Sequence, residues 1–63
     1  MNEIYQVECR NTVLTGEARS YWVLASDCAT AEKRALQKMT SELRGQEGRN
    51  YVLSVSFRGY LLK

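Results

Sequence analysis

The chain has 63 residues, 44% hydrophobic and 25% charged, with a net charge of +2, no proline and no histidine. That length supports one domain over residues 1–63, with a core so small that a partner or a second copy often helps. Missing histidine removes the commonest general base and zinc ligand, and a charge of +2 is too small to demand a nucleic-acid partner.

No apolar run approaches the ~20 residues of a membrane span. Met1-Asn2-Glu3 places an acid where a secretory signal carries a base. The expectation is a soluble cytoplasmic protein with no membrane partner. Cys9 and Cys28 are too few for a disulfide framework. Both are expected as small buried apolar residues, a bridge between them being the alternative. There is no C-x-x-C and no phosphate-binding glycine loop, so no metal and no cofactor are expected.

From Glu3 to Leu14 the chain alternates. Tyr5, Val7, Cys9 and Val13 fall on one side and Gln6, Glu8, Arg10 and Thr12 on the other, the period of a half-buried strand. Thr15-Gly16-Glu17-Ala18 reads as a hairpin tip. Ser20 to Ala25 is aromatic and β-branched and reads as the return strand. Ser26-Asp27 offers a helix cap, and the residues to about Arg44 are good helix formers. Ala31, Ala35, Met39 and Leu43, with Cys28 and Leu36 beside them, make one apolar stripe. Gly45 suits the C′ position. Tyr51 to Phe57 alternates again as a third strand. Gly59 reads as a bend or bulge, and Tyr60-Leu61-Leu62 as a short fourth strand or a dimer contact.

The expected fold is α+β, ββαβ(β). An antiparallel sheet of three strands, with room for a fourth, takes the order 2-1-3 with one helix packed on one face. One helix leaves the other face open, and hairpin register decides what lies there. A four-residue loop pairs Leu14 with Arg19 and puts Trp22 and Leu24 under the helix. A five-residue loop pairs Leu14 with Ser20 and turns them outward. The second is favoured, since small Ala25 suits the tight strand-to-helix corner and small Ala31 and Ala35 leave room for Tyr21 beneath the helix. Ile4, Trp22, Leu24 and Val52 then join Gln6, Arg10, Thr12, Ser54, Ser56 and Arg58 on the open face.

Val23-x-Ala25-x-Asp27-x-x-Thr30-Ala31-x-x-x-Ala35 resembles a strand-to-helix joint of small phage-encoded strand-strand-helix-strand proteins, some type I anti-CRISPR proteins among them. The resemblance implies a non-catalytic protein that docks on a larger bacterial complex. It carries over no functional residue.

Enzyme chemistry has little support. The cysteines have no histidine to activate them, and the carboxylates are scattered. Glu32 falls inside the apolar stripe and is expected to reach water or an arginine such as Arg10. The expected function is protein–protein binding by an inhibitor or adaptor. Trp22 would be the anchor, Arg10 and Arg58 the rim, Tyr60 a neighbouring contact, and Leu24 a further contact residue. Pairing of strand edges would make a homodimer. The alternative is nucleic-acid binding, with Lys33, Arg34, Lys38 and Arg44 along a phosphate backbone, or with Trp22 and Tyr60 stacking bases. Arg58-Gly59-Tyr60 resembles the start of an RNA-recognition consensus, but the residues that should follow are missing, so a glycine bulge is the better reading.

Overall fold

A computed structural model describes residues 2–14, 16 and 18–61. Strands β1 (Glu3–Asn11) and β2 (Arg19–Ala25), helix α1 (Cys28–Glu42) and strand β3 (Asn50–Tyr60) follow in order. The sheet is antiparallel with order β2-β1-β3, and α1 packs on one face. The expected α+β fold and strand order are therefore found. No fourth strand follows Tyr60 among the described residues. The expectations placed on Thr15, Glu17 and Leu62 lie outside them.

The alternation in β1 and β2 produces the core. Tyr5, Val7 and Cys9 of β1 and Tyr21, Val23 and Ala25 of β2 are buried against Ala31, Ala35 and Met39 of α1. The three helical residues recur every four positions, so they form one stripe. Two of them are alanines, which lets the helix backbone approach the sheet closely. Asp27 caps the helix from an extended conformation, and its carboxylate accepts the Thr30 N–H at 2.7 Å. That hydrogen bond holds the Asp27 carboxyl below its ordinary value. Cys28 is exposed, against expectation. It is the first helical residue, at the open end of the stripe. Cys9 is buried as expected, so the two thiols occupy different environments and both are free.

The helix stops at Glu42, two residues earlier than expected, with Leu43 as its C-cap. Gly45 serves the turn beyond it, at φ 84°, where Gln46 N–H reaches the Leu43 carbonyl at 2.9 Å.

Hairpin register differs from expectation in number but not in parity. Ser20 lies opposite Glu8, six residues from Leu14. The strands part at Asn11 and Arg19, so the connection is longer than either loop considered. Asn11 holds it open. Its buried side chain accepts the N–H groups of Val13 and Leu14 at 2.8 and 3.1 Å and donates to Asn50 Oδ1 at 2.8 Å. Asn50 donates in turn to Thr40 Oγ1 at 3.2 Å. Loop, third strand and helix end are thereby joined through amides and a hydroxyl. An offset of six is even, so every β2 side chain keeps its expected face.

Against β1, β3 pairs with two register shifts, one between Glu8 and Cys9 and one between Ile4 and Tyr5. Leu53 and Arg58 are the extra residues, and Gly59 follows at φ 140°. The glycine bulge expected from the sequence is thus present. Each shift exchanges the faces beyond it. Val52 lies opposite Cys9 and packs on the core, so it leaves the open face on which it was expected. Tyr51 takes the place of Val52 on the open face, opposite Arg10.

Candidate functional site

Trp22 stands on the face that the helix leaves bare, 57% exposed, with Leu24 beside it at 37%. The reason lies in the chain: Tyr21, Val23 and Ala25 fill the helix side, and a strand offers alternate residues to alternate faces. Ile4 of β1 lies opposite Leu24 of β2 on one side and opposite Gly59 of β3 on the other, where there is no side chain to cover it. Ile4, Trp22 and Leu24 form a small apolar patch at one end of the sheet.

Gln6 braces this patch. It lies opposite Trp22 on one side and Ser56 on the other. Its amide donates to Ser20 Oγ at 2.7 Å, and its carbonyl oxygen accepts Arg58 Nε at 3.0 Å and a terminal guanidinium N–H at 2.7 Å. The held guanidinium lies 6.0 Å from the centre of the Trp22 ring, at the outer range of a cation–π contact. All three strands thus fix one exposed indole and one cation side by side. Side chains held before contact lose less entropy on binding.

The other expected contacts are elsewhere. Arg10 is exposed four residues beyond Gln6 on β1, about 13 Å along the strand. It shares that end of the sheet with Tyr51. Tyr60 lies opposite Glu3, on the helix side of the sheet. Its ring packs edge-to-face on Phe57 at 5.2 Å, and Phe57 packs likewise on Tyr5 at 5.7 Å. Tyr60 is therefore on the opposite face from Trp22, because of the second register shift. The Tyr5 hydroxyl donates to the Glu3 carboxylate, which raises its pKa. Only Trp22, Leu24 and Arg58 of the five expected contacts gather in one place.

The basic residues are also divided. Lys33, Arg34, Lys38 and Arg44 are all exposed. Arg34 and Lys38 line a groove of about 670 Å³ between α1 and the outer edge of β2, with Gln37, Trp22, Val23 and Leu24. The Arg34 guanidinium donates to the Leu24 carbonyl. Arg44 borders a second hollow with Leu36, Thr40, Ser41 and Arg49. Sequence reasoning missed the β2 groove. The i, i+3, i+4 spacing of Arg34, Gln37 and Lys38 was visible, but which strand lies beside them was not.

Burial pushes the Cys9 thiol up, with the Glu32 charge adding to the effect. Glu32 is half-buried on α1, while Arg10 is exposed on the open face, so the expected pairing with Arg10 does not form. Among the described residues the ion pair is Arg19–Glu42, at 3.0 Å, and Tyr21 donates to the same carboxylate oxygen at 2.7 Å. No group of three or more metal-ligating side chains and no helix long and apolar enough to cross a membrane occur among the described residues. No protein-family model, curated protein or solved structure matches this chain.

Proposed function

We propose that the protein is a non-enzymatic binding module that docks on another protein through the open sheet face centred on Trp22. The observation that carries this reading is the braced indole. A tryptophan 57% exposed contributes little to the core, yet Gln6 and Arg58 hold its surroundings in one arrangement. Tryptophan and arginine are the residues most enriched at binding hot spots. Leu24 and Ile4 extend the apolar centre, and Ser20, Ser54 and Ser56 supply a polar rim. The resemblance to small phage proteins makes an inhibitor or adaptor acting on a larger cytoplasmic complex the role that fits this surface. The absence of histidine from the sequence and the full burial of Cys9 agree with binding rather than catalysis.

The test is affinity capture from the source cell with wild-type protein and Trp22→Ala, each with and without nuclease. The expected result is a partner that survives nuclease and weakens at least about 30-fold with Trp22→Ala, as a hot-spot loss of about 2 kcal/mol requires. Circular dichroism of the variant should be unchanged. Capture abolished by nuclease would move the assignment to nucleic-acid binding, where Arg58 and Trp22 would stack a base. Capture unaffected by Trp22→Ala would reject this face.

A further inference from the structure

Strand β2 is an edge of the sheet, and its register against β1 runs without a shift from Glu3↔Ala25 to Cys9↔Arg19. The Leu24 carbonyl accepts the Arg34 guanidinium, so it turns away from β1. In an antiparallel pair, a residue's N–H and C=O point to the same side, and successive residues alternate. Ser20 and Trp22 therefore turn their backbone groups outward with Leu24. These outward groups, with the Leu24 carbonyl held for now by Arg34, are those on which another strand can form. Alongside them runs the groove of about 670 Å³, walled on the helix side by Arg34, Gln37 and Lys38. Its six lining residues carry two positive charges and no negative one.

We infer that this groove takes an extended, acidic segment of another protein as an added fourth strand. The segment pairs with the outward groups of Ser20, Trp22 and Leu24, and its carboxylates meet Arg34 and Lys38. This rests on reading the Trp22 surface as a protein contact, and it names what that contact recognises. Main-chain pairing supplies affinity in such strand addition, and the flanking side chains supply selection. Arg34 already shows the exchange involved. Its guanidinium occupies an acceptor that an incoming N–H would take, and is then free to pair with a carboxylate. A second copy fits less well, because pairing β2 with β2 brings Arg34 and Lys38 of each chain toward the same cations. The opposite edge is irregular, with two register shifts in β3.

The experiment is selection from a library of random twelve-residue peptides on the folded protein. Wild type, Trp22→Ala and the double variant Arg34→Gln/Lys38→Gln are compared. Glutamine removes both charges and keeps a donor for the Leu24 carbonyl, and circular dichroism checks the fold. Enriched peptides should carry Asp or Glu at alternate positions. They should protect the Ser20, Trp22 and Leu24 amides from hydrogen exchange and weaken about tenfold or more in the double variant, the effect of two partly exposed charge contacts. Neutral or basic peptides, binding indifferent to the double variant, protection elsewhere, no enrichment, or a dimer paired through β2 would each overturn the inference. The two readings separate on the captured partner. Loss with Trp22→Ala but not with the double variant keeps the open face and overturns the groove, whereas loss with neither overturns both.

Discussion

The two edges of this sheet are built in opposite ways. On β2 the edge is regular, free of glycine, and bordered by a basic groove. On β3 the edge shifts register twice, at Leu53 and Arg58, and passes through Gly59 at φ 140°. Bulges and bends spoil the flat row of donors and acceptors that another strand needs. A sheet of three strands has two edges to protect, and here irregularity protects one of them. The other is left to a side chain, the Arg34 guanidinium, which can leave when something better arrives.

The contrast predicts where substitutions hurt. The largest effect is expected at Gly48, in the turn leading into β3. It sits at φ 93°, and a Cβ there would meet Thr12 Oγ1 and Val13 Cγ2 at 2.7 Å and Asn11 Oδ1 at 2.8 Å. Two of those atoms are already engaged, Thr12 Oγ1 by the Arg49 N–H and Asn11 Oδ1 by two loop N–H groups, so yielding costs hydrogen bonds. Gly48→Ala should destabilise by about 2–5 kcal/mol from strain and overpacking together, enough to unfold much of so small a domain at 37 °C. Thermal denaturation checks it, and an unchanged Tm would mean that the β3 end is not fastened through this turn.

Gly59→Val is expected to cost less. Nothing lies within 4 Å of a Cβ there, so only backbone strain of about 1–3 kcal/mol remains. Faster hydrogen exchange near Tyr60, with the β2 amides unaffected, would sharpen the contrast; equal loosening of both edges would break it.

The smallest effect concerns the helix wall of the β2 groove. The Asp27 carboxyl sits below its ordinary value of 3.8 through its bond from Thr30. A depressed folded pKa gives stability that is present above the ordinary value and lost as pH falls through the folded one. Asp27→Ala should lower Tm at neutral pH, and the gap to wild type should close below pH 3.8 as wild type loses the same bond. A gap constant with pH in denaturation curves would refute the cap's role.

Much of this was legible in the sequence. Alternation, the Asp27 cap and the alanine stripe sufficed for the elements, their order and the helix-covered face. Hairpin register was legible only to parity: the Asn11 side chain opens a longer connection, but an even offset keeps Trp22 outward. Parity failed on β3. Leu53 interrupts Tyr51 to Phe57 with no glycine or proline to announce it, so Val52 and Tyr51 exchanged faces. Gly59 did announce the second shift. Its consequence, moving Tyr60 to the face opposite Trp22, depends on how many residues the bulge takes up, which composition does not encode.

The strand order also dictates a sequence in time. The central strand β1 comes first in the chain, and its second neighbour comes last, pairing residues as distant as Glu3 and Tyr60. Closing so long a loop is entropically costly and slow beside closing the hairpin. Loop entropy therefore favours closing the hairpin and packing the helix first, while β1 waits for its second neighbour. The regular register of the β1–β2 hairpin suits a segment that must hold together through that wait.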